Sequence, residues 1–232
     1  MDEFFANPYF LIALTFGVYL FASRLRRRFG LSLMNPILIS VILLVAFLST
    51  SGVSYESYCE GGKYIEFWLK PAVVALGVPL YRQLSTIRKQ IMPLLVAELA
   101  GCVAGLVSVV AIAELFGATR EVIMSLAPKA VTTPIAMEIS TALGGNPSLT
   151  AAVVVCTGIF GSMAGFSMVR MSRIRSSMAG SLSIGTASHA VGTAAAMERG
   201  GERFGAFSSL GLTLNGLFTA LLAPVILPLL GY

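Results

Sequence analysis

From Pro8 to Leu230 the chain passes through six apolar stretches, at 8–23, 34–50, 68–81, 91–116, 148–169 and 205–230, with most of its charge set between them. Most approach the ~20 residues that a helix needs to cross the hydrocarbon core of a bilayer. Charged residues make up 12% of the sequence, where a soluble domain carries about 25%. That is too little charge to cover a water-facing surface, so the pattern predicts an all-α polytopic membrane protein. It excludes a secreted disulfide scaffold and a disordered chain. The stretch 68–81 is short for a straight crossing and contains Pro71, Gly77 and Pro79, which predicts a broken or tilted helix.

The charges also orient the chain. Asp2 and Glu3 precede the first apolar stretch, and Arg24, Arg26, Arg27 and Arg28 follow it. A signal peptide has the opposite order, so 8–23 reads as a spanning helix with its N-terminus outside. Two further segments, 121–145 and 178–200, are only moderately apolar, rich in Gly, Ser and Thr, and contain ionisable residues. Lipid tolerates such segments only where protein or a watery cavity satisfies their backbone. If both dip in and return, six full crossings place Arg24, Arg26, Arg27, Arg28, Arg82, Arg88, Lys89, Arg170, Arg173, Arg175, Arg199 and Arg203 inside, twelve of the sixteen basic residues. If both cross fully, Arg170, Arg173 and Arg175 move outside and nine remain. The excess of Lys and Arg on cytoplasmic loops favours the first arrangement. The acidic loop 51–67 then faces outward. The net charge of +5 is topological, and no basic stripe with interleaved aromatics suggests nucleic acid.

A gapless alignment of 101–138 with 161–198, an offset of 60 residues, gives eleven identities in 38 pairs. The densest part sets APKAVTTPIAME against ASHAVGTAAAME. Each unit is one apolar helix followed by one unusual segment. With re-entrant segments a unit crosses once, which inverts the second copy, the design of secondary transporters whose substrate sits near the midplane. The expected organisation is one membrane domain over 1–232: N-terminal helices in 1–90, repeat units at 91–145 and 151–204, and a last helix at 205–232. Gly101-x-x-Ala104-Gly105 and Gly161-x-x-Ala164-Gly165 read as close-packing surfaces within the chain; a homo-oligomer stays open.

Thr132-Thr133-Pro134 reads as a helix start, with Thr133 as N-cap and Pro134 at the first helical position. In the second unit Thr193 takes the cap, after Gly192. Such starts present free N–H groups and a positive dipole end to an anion. Lys129 and His189 fall at equivalent positions four residues before each cap. Ionisable groups at membrane depth usually face a cavity or a partner. Lys129, Thr132, Thr133, His189, Gly192 and Thr193 therefore make a candidate site for a small carboxylate. Glu98, Glu138 and His189 are proton-coupling candidates. Structural readings stand beside these: Lys129 as an ion pair with Glu138 or Glu98, His189 as a hydrogen-bonded core residue, and Glu138 at a watery boundary. No nucleophile elbow, P-loop or Cys-x-x-C is present, and three scattered cysteines with one His predict neither metal site, cofactor nor catalysis.

At Met34-Asn35-Pro36, Leu69-Lys70-Pro71-Ala72-Val73-Val74-Ala75-Leu76, Pro128-Lys129 through Met137, and Gly185-Thr186-Ala187-Ser188-His189-Ala190-Val191-Gly192-Thr193-Ala194, the chain resembles the LrgB/CidB family and its YohK-type bacterial inner-membrane members. The resemblance implies two kinds of activity. Bacterial members are known as antiholin-like or holin-like proteins that, with a small LrgA/CidA-type membrane partner, influence murein hydrolase activity and lysis. A plastid relative carries glycolate and glycerate, and some bacterial members are linked to pyruvate uptake. Similar proteins often have a basic residue where this chain has Ala195, and Ser where it has Ala130. The first departure removes a second cation from the site.

Overall fold

Polar caps set where many of the helices begin. In the computed structural model, which describes residues 5, 7–29, 35–68, 71, 74–75 and 77–232, Asn35 Oδ1 accepts from Ile37 N at 2.8 Å and opens the helix that has Pro36 in its first turn. Ser54, Thr119, Asn146 and Ser176 cap later helices in the same way. The described residues form α1 (Pro8–Phe29), α2 (Pro36–Ser51), α3 (Tyr55–Phe67), α4 (Gly77–Arg82), α5 (Leu84–Lys89), α6 (Ile91–Leu115), α7 (Arg120–Leu126), α8 (Thr133–Ala142), α9 (Pro147–Met171) and α10 (Ser177–Leu229).

Four of these, α1, α6, α9 and α10, are long and apolar enough to cross a membrane, and α2 is a shorter apolar helix of 16 residues. The protein is a multi-pass membrane protein. Helix α1 runs past 23 and through the arginines, because Arg is a good helix former and nothing in 24–29 breaks the helix. The acidic connection 51–67 holds a helix rather than an open loop. Ser54 caps α3, Glu60 and Lys63 pair three residues apart on it, and Gly61 lets it approach α1. A Cβ at Gly61 would lie 2.9 Å from the Pro8 carbonyl oxygen. The acidic N-terminus, Met34 and most of the 69–76 motif lie outside the described residues, as does much of the stretch expected to break at 68–81.

The chain divides into two compact units, 1–75 and 76–232. In the first, α1 packs on α2 and α3, burying Leu11 and Ala22, and Thr15 Oγ1 lies 3.0 Å from Tyr58 Oη.

In the second unit, each of the two aligned sequence segments folds as a long apolar helix followed by two short helical pieces with a break between them. After α6, the helices α7 and α8 flank a turn at 127–132. After α9, α10 is interrupted twice: at Ser188 (φ −137°, ψ 18°) and His189 (φ 43°, ψ −142°), and at Gly201 (φ 78°). We refer to its parts as α10a (177–187), α10b (190–200) and α10c (202–229). The left-handed backbone at Gly201 is one that glycine adopts without a steric penalty. Arg82 and Glu202 pair at 2.6 Å beside that corner.

Apolar faces of α6, α7, α8 and α10c meet in the largest core cluster, around Leu106, Val110, Ile123, Met124, Ile139 and Leu227. A second cluster joins Ile87 and Leu94 to Leu182, Phe207 and Leu210. Small residues decide how closely α9 approaches the first break in α10. A Cβ at Gly161 would fall 2.0 Å from that of Ser188, and one at Gly158 would fall 2.6 Å from the His189 ring. The Gly161-x-x-Ala164-Gly165 surface is thus used inside the chain. Gly161→Ala is expected to lower stability by about 3 kcal/mol through overpacking, at the high end because the obstacle is the Ser188 Cβ, which can move aside only with its backbone. Thermal unfolding in detergent measures this, and an unchanged midpoint would show that the break can move aside.

Candidate functional site

The site grows out of the two breaks. Beyond α7 the chain turns through Pro128, Lys129 and Ala130 before α8 begins, and beyond α10a it leaves helical geometry at Ser188. Both ends leave carbonyls without the usual helical partner. Asn215, buried on α10c, satisfies one from each: its Nδ2 donates to Ala130 O at 3.2 Å and to Thr186 O at 2.9 Å. Its Oδ1 accepts from Thr219 Oγ1 at 3.4 Å, and Thr219 Oγ1 also lies 3.4 Å from Cys102 Sγ on α6. A single amide on the last helix therefore ties both broken segments together.

Above this tie lies a cavity of about 380 Å³, walled by Ala97, Gly101, Gly105 and Leu106 of α6 among others. Its polar lining comes from Glu98, Lys129, Ser183, Thr186, Asn215 and Thr219. Nothing fills the space beside Gly105, where an added Cβ would meet no atom within 4 Å. The volume falls in the range of pockets that take small molecules. Glu98 is 1% exposed; its Oε2 is 2.8 Å from Thr186 Oγ1, and its Oε1 has no hydrogen-bond partner. Among the described residues no ion pair joins Lys129 to Glu98, Glu138 or any other carboxylate.

Of the residues singled out in the sequence, the structure brings Lys129 and Glu98 to one cavity. Thr132, Thr133, His189, Gly192, Thr193 and Glu138 do not line it. The His189 ring is buried, with Nε2 2.8 Å from the Val154 carbonyl oxygen on α9. Glu138 is exposed on α8. The helix starts also differ from expectation. Thr132, not Thr133, is the N-cap of α8, and its side chain makes no capping bond. Pro134 suits the second helical position as well as the first, since neither N–H has an intrahelical partner. In the second segment Thr193 and Gly192 lie inside α10b, which restarts just after His189. Alanines at 190 and 194–196 favour helix, and no proline stands where Pro134 does, so the helix begins earlier. The Thr193 hydroxyl instead lies 3.1 Å from Ser208 Oγ.

The sequence reading missed Thr186, Asn215 and Thr219. Asn215 carries a usable signal, being the one amide in the apolar run 205–230, where a polar side chain at membrane depth needs a partner. A second polar knot also went unread: Thr150 Oγ1 lies 2.7 Å from Ser140 Oγ and 3.0 Å from the Ser125 carbonyl, joining α7, α8 and α9.

Long apolar helices with two interrupted segments around a polar-lined cavity define a polytopic membrane protein of the broken-helix class. The chain belongs to the LrgB-like family, whose profile matches residues 15–229. It is 40% identical to the uncharacterized protein YxaC of Bacillus subtilis, over 93% of this chain and 94% of that one. It is 36% identical to the holin-like protein CidB of Staphylococcus epidermidis, over 94% of each. With the antiholin-like protein LrgB of Bacillus mycoides it shares 33% identity, over 97% of this chain and 98% of the other. No solved structure matches it.

Proposed function

We propose that this protein acts as a holin-like or antiholin-like regulator of murein hydrolase activity and lysis, together with a small LrgA/CidA-type membrane protein. The support is the likeness to relatives named holin-like CidB and antiholin-like LrgB, which runs along more than nine-tenths of each chain. In this reading the protein lies in a bacterial inner membrane with its N-terminus outside and the arginine clusters in the cytoplasm. The chain makes six full crossings, two further segments dip in and return, and the second repeat unit is inverted relative to the first. The test is expression in a bacterium stripped of its own LrgA- and LrgB-type genes, with and without the partner. The expected result is a change in cell-wall hydrolysis that requires both proteins; equal rates in every strain would overturn the reading.

The cavity favours a second activity, passage of a small 2-hydroxy or 2-oxo monocarboxylate of the glycolate, glycerate and pyruvate class. The supporting observation is Lys129, a cation lining a membrane-protein cavity with no ion pair among the described residues. Such a group attracts an anion. The two activities are compatible, and uptake of labelled glycolate and pyruvate into proteoliposomes separates them.

A further inference from the structure

The hydrogen count around Thr186 constrains Glu98. Thr186 Oγ1 lies 2.8 Å from Glu98 Oε2 and also 2.8 Å from the Leu182 carbonyl oxygen. A hydroxyl has one hydrogen, and a carbonyl oxygen can only accept. The Thr186 hydrogen lies along one of the two contacts, so the other needs a hydrogen from elsewhere. Leu182 O has none to give; Glu98 has one if its carboxyl is protonated. The chain Glu98 Oε2–H to Thr186 Oγ1–H to Leu182 O then satisfies every contact. It leaves Oε1, the oxygen without a partner, as the carbonyl oxygen of a neutral acid, which costs far less to bury than half of a carboxylate.

The charges around the cavity make that proton consequential. The titratable groups facing Glu98 there are Lys129, from the α7–α8 connection, and Cys102, one turn along α6. The polar residues that α10a and α10c contribute to the lining are Ser183, Thr186, Asn215 and Thr219, none of them titratable in this range. The charged residues of the packed helices α5 and α7, and those at the start of α10c, are exposed and lie outside the cavity. Lys129 and ionised Glu98 together would make the cavity neutral, and a bound anion would then leave one uncompensated negative charge in a low-dielectric space. With Glu98 protonated, Lys129 and the anion cancel.

We propose that the cavity takes a small monocarboxylate at Lys129 only together with a proton on Glu98, whose carboxyl O–H donates to Thr186 Oγ1 while the Thr186 hydroxyl donates to the Leu182 carbonyl oxygen. This rests on the anion reading of the cavity and names the group that regulates it. The proton comes from the water that delivers the anion, one per carboxylate, and no covalent bond other than Glu98 O–H is made.

Two measurements on the purified, detergent-solubilised protein test it. The first is the infrared spectrum, in which a protonated-carboxyl band at neutral pH is expected in the wild type and lost in Glu98→Gln. The second is calorimetric binding of glycolate as a function of pH. Where Glu98 is ionised before binding, wild-type affinity is expected to fall about tenfold per pH unit, with one proton taken up per anion. Glu98→Gln, which keeps the shape and stays neutral, is expected to bind with flat pH dependence and no proton uptake. Thr186→Val is expected to shift the wild-type pH profile without removing binding. At a pH where the wild-type carboxyl band is gone, glycolate bound without proton uptake would overturn the proton site alone, as would a carboxyl band at neutral pH that survives in Glu98→Gln. No glycolate binding at any pH would overturn the anion reading and this inference with it.

Discussion

Lys129→Ala is expected to reduce uptake of labelled glycolate and pyruvate into proteoliposomes by at least about 30-fold, while the yield of folded, inserted protein stays at the wild-type level. The first half follows from charge. Removing one member of a desolvated ion pair costs about 2–5 kcal/mol of binding, and among the described residues Lys129 is the one basic side chain lining the cavity. The second half follows from the absence of a partner. Among the described residues Lys129 makes no ion pair, so truncating it orphans no buried carboxylate. Had it been clamped to Glu98 or Glu138, the same substitution would be expected to destabilise the fold. Uptake equal to wild type would show that the anion is not held here. No saturable uptake in the wild type, with hydrolase regulation intact, would leave the lysis reading alone.

Asn215→Leu is expected to destabilise the protein by about 2–4 kcal/mol, seen as a lower thermal unfolding midpoint in detergent. Its two donated bonds go to Ala130 O and Thr186 O, and each buried carbonyl left unpaired costs roughly 1–3 kcal/mol. The cavity borders both residues, so water can recover part of the loss, which keeps the total below the upper sum. Thr219→Val, which removes only the 3.4 Å contact to Asn215 Oδ1 and the weak one to Cys102, is expected to cost well under half as much. Equal effects of the two substitutions would show that Asn215 matters through packing rather than by joining the broken segments.

Much of the fold was legible before any tertiary contact. Charge scarcity and the length of the apolar runs specified a multi-pass helical protein, and α6, α9 and α10c begin and end within a few residues of the stretches at 91–116, 148–169 and 205–230. The two moderately apolar segments are the ones that break, near Lys129 and at Ser188–His189. Their Gly, Ser, Thr and Pro content weakens continuous helix, and that is a local property. Local signals failed where two of them competed. Thr193 resembled a cap by analogy with Thr133, but the alanines around it restart the helix earlier. The acidic connection after α2 resembled a loop by its polarity, yet Ser54 and Gly61 make it a packed helix.

The site divides along the same line. That Glu98 and Lys129 needed an explanation was evident from composition alone, because an ionisable group in an apolar run demands one. That they share a cavity with Thr186 and Asn215, while His189 turns to the Val154 carbonyl, was not. Glu98 and Thr186 are 88 residues apart, and Asn215 reaches a carbonyl 85 residues before it. Sequence pattern determines which solvent a segment prefers and where its helix weakens, since both depend on residues within a turn or two. Which faces then meet is decided by packing. Glycines such as Gly161 admit close approach, and backbone groups freed at the breaks bond to whatever donor the next helix brings within reach.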